Sequence, residues 1–160
     1  MLTADDLRRI CVEHFVAENN RSVEEIIATV DEDVEYHVMS PGYPDDPEPF
    51  GVTSGEAAVR QMWVNLYSMF DPYQIEWDES EWMVDAAKGQ VFARVMITAT
   101  PLQNFEGLPA GKPFRYRVAA LCDFNQEGRM TRETIYGNLA IVFWGINRMR
   151  EFLAVGSAPR

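Results

Sequence analysis

Between Pro113 and Phe124 apolar and polar residues alternate. Phe114, Tyr116, Val118, Ala120 and Cys122 fall on one side, and Arg115, Arg117 and Asp123 on the other. A period of two marks a strand with one buried and one wet face. Further strand-like runs cover Ile75 to Val84, Gln90 to Thr100, and Met130 to Tyr136 or beyond. The turn signals Lys88-Gly89 and Asn125-Gln126-Glu127-Gly128 lie beside them. Successive strands joined by tight turns pair antiparallel, so the C-terminal half reads as an antiparallel meander.

The first seventy residues follow the helical period instead. Thr3, with Asp6 three residues on, resembles a capping box, and Leu7, Ile10, Cys11, His14 and Phe15 then recur on one helix face. Asn19-Asn20 breaks that helix. Ser22 caps a second one, with Glu25 at the box position and Val23, Ile26, Ile27 and Val30 as its apolar side. Asp31-Glu32-Asp33 reads as a polar break before a short β run, Val34 to Met39. Ser54 is expected to cap a third helix from Gly55 to about Phe70, ended by Asp71-Pro72. Its stripe is Val59, Met62, Trp63, Leu66, Tyr67 and Phe70. Ser40 to Ser54, with four prolines and three acids, reads as a loop, and a loop of that length is a candidate lid. The tail, about 139–153, has helical spacing again. Helices gathered before an antiparallel sheet imply an α+β fold, here a single domain over residues 1–160.

Charge narrows the partners. The 160 residues carry 14 Lys+Arg against 25 Asp+Glu, a net charge of −11. That surface repels nucleic acid and anionic lipid, so neither is expected as a partner. The longest apolar run, Leu139 to Ile146, is far too short to span a bilayer, and the first residues lack the apolar stretch of a signal peptide. A cytoplasmic location is expected. Cys11 and Cys122 lie on apolar faces and are expected to be buried reduced thiols. No metal-ligand spacing, phosphate loop, dinucleotide fingerprint or nucleophile elbow occurs, so neither metal nor cofactor is expected.

Three local sequences carry a family resemblance. They are Asp31-Glu32-Asp33-Val34-Glu35-Tyr36-His37, Gly55-Glu56-Ala57-Ala58-Val59-Arg60, and Phe124-Asn125-Gln126-Glu127-Gly128-Arg129 followed by Glu133-Thr134-Ile135-Tyr136-Gly137-Asn138. In this order they resemble the nuclear transport factor 2-like superfamily, and more narrowly its SnoaL-like polyketide cyclase branch. The resemblance implies a cone-shaped barrel, in which a strongly curved antiparallel sheet wraps over three N-terminal helices (the cystatin-like fold). It also implies a homodimer and a pocket for a small apolar or aromatic ligand. Where the family pattern carries an aspartate, this chain has Asn138.

Candidate chemistry rests on a few side chains. His14 is a polar ring on the apolar stripe of the first helix, and such a group needs a partner or a cavity. Similarity to ketosteroid isomerase, in the same superfamily, implies an oxyanion-stabilising place for His14 and a catalytic place for His37, at the end of the short strand. Glu133 alternates with Thr131 and Ile135, the set expected inward, and could orient His37 or act as an acid itself. Tyr116 offers a hydroxyl on the pocket face. Tyr136 and Asn138 belong to the other alternation set, although the resemblance implies that they line the cavity. Trp63, Tyr67, Trp82 and Trp144 could wall a site for a flat ligand. The expected function is a cofactor-independent lyase or isomerase, by dehydration, retro-aldol or cyclase-type chemistry, on a small cyclic or aromatic substrate. A non-catalytic binding protein on the same fold is the alternative. Epoxide hydrolysis, which would call on Arg94 or Arg117 between carboxylates, is a third.

Overall fold

A computed structural model describes residues 2–39, 49–104 and 108–137. Asn138, Trp144 and the helical tail at 139–153 lie outside the described residues, as does most of the candidate lid.

Helix α1 (Ala4–Asn19) starts at a full capping box, with Asp6 N–H donating to Thr3 Oγ1 at 3.1 Å and Thr3 N–H to Asp6 Oδ2 at 3.0 Å. It buries Leu7, Cys11, His14, Phe15 and Glu18. Helix α2 (Val23–Thr29) is capped by Ser22 and runs directly into strand β1 (Val30–Met39). The acidic triplet 31–33 therefore does not break the chain. It forms the first part of β1, across the register irregularity between Val30 and Glu35.

Strand β2 (Pro49–Ser54) pairs antiparallel with β1, Tyr36 opposite Thr53. The last part of the proline-rich segment is thus a sheet edge, where proline is tolerated because an edge strand leaves one side of its backbone without a neighbouring strand. Helix α3 (Glu56–Met69) is entered through Gly55 at φ 82, with no side-chain cap, so Ser54 does not have the capping role its position suggests. At its end the chain passes without a loop into strand β3 (Phe70–Trp77), and Asp71-Pro72 is a cis peptide inside that strand. The expected run 75–84 is split between β3, a short 3₁₀ turn (Glu79–Glu81) and strand β4 (Met83–Asp85). Strands β5 (Gln90–Pro101), β6 (Phe114–Phe124) and β7 (Met130–Gly137) follow within a residue or so of the sequence reading.

The sheet order is β2-β1-β7-β6-β5-β3, with β4 paired to β5. All pairs are antiparallel except β1 with β7, which are parallel with Tyr36 opposite Glu133. The meander thus curls back until its last strand lies beside the first. The inner face carries Val34, Tyr36, Val91, Ala93, Val95, Ile97, Tyr116, Val118, Ala120 and Cys122, which close over α1 and α3 as one apolar core. Each valine or isoleucine among them contributes about 1.5–3 kcal/mol by leaving water. Gly89 sits in the β4–β5 turn at φ 70, and a Cβ there would lie 2.6 Å from the Phe124 carbonyl oxygen. Only glycine fits both constraints.

Two clamps fix the helices to the sheet. The Asn19 side chain donates to Ile75 O at 2.8 Å and accepts from Ile75 N at 2.7 Å, imitating a neighbouring strand. Arg21 donates to Phe70 O and Tyr67 O at 2.7 and 2.8 Å, satisfying carbonyls at the end of α3 that the helix leaves open. No helix among the described residues is long and apolar enough to cross a membrane.

Candidate active site

Strand alternation and helix periodicity bring three titratable side chains to one place inside the sheet. His14 and Glu18 are one turn apart on α1, and Glu133 faces them from β7 beside Cys122 of β6. All three are buried, with exposures of 0%, 2% and 4%. One ligand-type atom from each lies within 4.8 Å of the others, a spacing that a single cation could also bridge. Tyr36 completes the group from β1, its hydroxyl 3.1 Å from His14 Nε2.

The protonation states follow from burial. Loss of water lowers the His14 pKa, with Glu133 opposing, so the ring is neutral. Burial raises Glu18 well above the usual carboxylate range. Burial and then Glu18 push Glu133 up to about 8, against the pull of His14. The 3.0 Å approach of His14 Nε2 to Glu18 Oε1 is therefore not an ion pair but a neutral ring beside a neutral acid. Glu18 Oε1 also has no aligned hydrogen-bond partner among the described residues. Near neutral pH the cluster holds a free base and two carboxylic acids, an arrangement suited to moving protons.

An aromatic wall surrounds it. Trp63 lies edge-on to Tyr36 and Tyr73, at 6.3 and 6.2 Å between ring centroids. Burial raises the pKa of both Tyr73 and Tyr116. The indole N–H groups of Trp63 and Trp82 are buried without an aligned acceptor among the described residues. Cys11 and Cys122 are free, buried thiols in contact with each other, in accord with the sequence reading.

The sequence-selected residues separate on this frame. His14, Glu133, Tyr116 and Trp63 come together on the inner side. Tyr67 is at the base of that wall, donating its hydroxyl to Glu18 O at 2.8 Å beneath the Arg21 guanidinium. His37 does not join them. Alternation along β1 turns it to the face opposite Tyr36, where its Nε2 lies 2.9 Å from Glu35 Oε2. Glu133 therefore cannot orient His37, which corrects that expectation. Tyr136 is likewise outward and 42% exposed, as the alternation of β7 requires and against the pocket place implied by resemblance. Arg94 and Arg117 line an outer-face depression of about 200 Å³ with Glu76, Asp78 and Glu81, so neither stands between the buried carboxyls. Glu18 and Tyr36 belong to the cluster although neither is among the residues expected from the sequence. Both were within reach of a simple signal, since Glu18 is four residues from His14 on the same helix stripe and Tyr36 alternates with Val34 and Val38.

The comparisons with known proteins agree with this architecture. The chain superposes on a SnoaL-like polyketide cyclase from Agrobacterium tumefaciens with a TM-score of 0.64 at 23% identity, covering 90% of this chain and 98% of that one. PrhC from Penicillium brasilianum superposes with a TM-score of 0.72 at 13% identity, covering 96% and 93%. An NTF2-like protein from Burkholderia pseudomallei gives 0.67 at 13% identity, covering 88% and 97%. At these identities the likeness speaks for the fold. No curated protein matches in sequence. The SnoaL-like domain model matches residues 12–133, a span that runs from α1 to Glu133 itself, and the chain belongs to the SnoaL-like family of the NTF2-like superfamily.

Proposed function

We propose that the protein is a cofactor-independent acid–base enzyme, an isomerase or lyase acting on a small, uncharged cyclic or aromatic carbonyl compound. The observation that carries this reading is the buried cluster of neutral His14 with the proton-bearing Glu18 and Glu133. Once the Tyr36 hydroxyl turns away from it, His14 Nε2 removes a proton from the carbon next to the carbonyl. Glu133 gives its proton to the carbonyl oxygen, so an enol forms without a free charge in the apolar interior. Isomerisation ends when the enol takes a proton at another carbon and Glu133 recovers its own. In a dehydration the same acid protonates the departing hydroxyl, which leaves as water. Tyr36 stabilises the ring of His14, and Trp63, Tyr73 and Tyr116 offer faces for a planar ligand. No Lys or Arg is among the residues of this cluster, which favours an uncharged substrate over a carboxylate or phosphate ester.

The test is mass spectrometry of cyclic enones, hydroxy-ketones and aromatic diols incubated with the protein in heavy water. Deuterium uptake or a new mass that disappears in His14→Gln and Glu133→Gln supports the reading. Saturable binding of a panel member, without exchange or conversion, would refute it in favour of a ligand-binding protein on the same fold.

A further inference from the structure

The outer partner of His14 determines which of its nitrogens can act. Thr29, the last residue of α2, donates its hydroxyl proton to Ile26 O at 2.6 Å. A hydroxyl has one proton, and here it is committed. The same Oγ1 lies 2.6 Å from His14 Nδ1, and with its proton spent it can only accept there. Nδ1 must then carry the hydrogen. A neutral ring has one N–H, so Nε2 is left as a lone pair, aimed at the Tyr36 hydroxyl 3.1 Å away. Tyr36 can donate to that lone pair and could not donate to an N–H. The chain Ile26 O ← Thr29 ← His14 ← Tyr36 is consistent at every link with one direction of donation.

We infer that Thr29 is a positioning residue that holds His14 in the Nδ1–H form and so presents Nε2 as a base to the interior of the site. The short helix α2 thereby acquires a part in the chemistry. Groups facing the ring from other elements are Tyr36 of β1 and Glu133 of β7, with Glu18 on its own helix. None of them contacts Nδ1, so the tautomer is set from the Thr29 side. The catalytic consequence rests on the acid–base reading above, whereas the tautomer itself does not.

Long-range proton–nitrogen NMR reads directly which ring nitrogen bears hydrogen. The chain has only two histidines, so a His37→Gln variant assigns the His14 signals. Thr29→Val removes the acceptor at nearly constant volume, and Thr29→Ser restores it. Expected are Nδ1–H in the wild type and in Thr29→Ser, and a shift towards Nε2–H in Thr29→Val. In the last variant kcat should fall about 10–100-fold with KM little changed, and Thr29→Ser should recover it. Nε2–H in the wild type, or an unchanged tautomer in a folded Thr29→Val, overturns the inference whatever the activity. A shifted tautomer with unchanged kcat overturns the positioning role. A shifted tautomer with no exchange activity in any variant supports the assignment of Thr29 and removes the acid–base reading instead.

Discussion

Replacing Glu133 by glutamine keeps the shape and hydrogen-bonding capacity of the side chain but removes its titration, and this should change how stability depends on pH. In the native protein the carboxyl loses its proton near 8 rather than at its ordinary 4.5. Between those values the unfolded chain has released the proton and the native one retains it, so stability falls as pH rises. Each unit of difference is worth about 1.4 kcal/mol, which sets an upper bound of about 5 kcal/mol for the whole window. Glu18, raised in the same direction, adds to the fall. His14 acts oppositely, because below its ordinary 6.5 the unfolded ring takes a proton that the buried ring refuses. Its contribution rises with pH up to 6.5 and is flat above. The window free of His14 is therefore pH 6.5 to 8, in which the Glu133 share of the fall should be roughly 2 kcal/mol, or about 4–8 °C in Tm for a chain of this size. Thermal unfolding of wild type and Glu133→Gln in matched buffers measures it, and groups that titrate alike in both cancel in the difference. The variant should lose less stability across the window. Parallel curves would mean that Glu133 is ionised in the folded protein, and the neutral-acid mechanism would fall with it.

Three further outcomes follow from named contacts. Glu18→Gln keeps the size of the side chain, and because Glu133 supplies the proton to the carbonyl oxygen, exchange activity should stay within about 10-fold in steady-state assays, while a loss of about 10²–10⁴-fold would make Glu18 the acid instead. His37→Ala should leave exchange unchanged, since its ring is on the opposite face of β1 with Glu35, and a large loss would restore it to the mechanism. Gly89→Ala should cost about 1–3 kcal/mol in urea unfolding, because the positive φ and the Phe124 carbonyl both oppose a Cβ, and a neutral result would mean that the turn relaxes freely.

The helices, the long strands and the inward set of β6 were legible because each rests on local periodicity that tertiary contacts reinforce. The inward place of Glu133 followed from the same alternation. What was hidden depends on pairing between distant segments. Residues 31–33 look like a break, yet they belong to β1, because β7 pairs with the residues on either side of them, Val30 and Glu35. Pro49 and its neighbours look like loop until β1 supplies an antiparallel partner. His37 drew attention by residue type, while the alternation that places Tyr36 inward turns His37 away. Glu18 is hidden in the sequence for the converse reason. A glutamate on an apolar stripe reads as a surface charge unless its i−4 neighbour is noticed to be a histidine, and only the closed sheet shows that both are dry.

The Asn19 clamp gives the site a lever arm. His14 is five residues from the clamp, about 7.5 Å along the helix axis at 1.5 Å per residue. A tilt of about 10° about that fixed end would carry the ring roughly 1.3 Å, and a displacement of about 1 Å can cost on the order of 10²-fold in rate. Asn19 is not one of the buried titratable triad, yet its two bonds to Ile75 fix the end of the helix from which His14 projects. In the proposed mechanism the accuracy of the proton transfer would thus be anchored in β3, at a strand that contributes no acid or base to the buried triad.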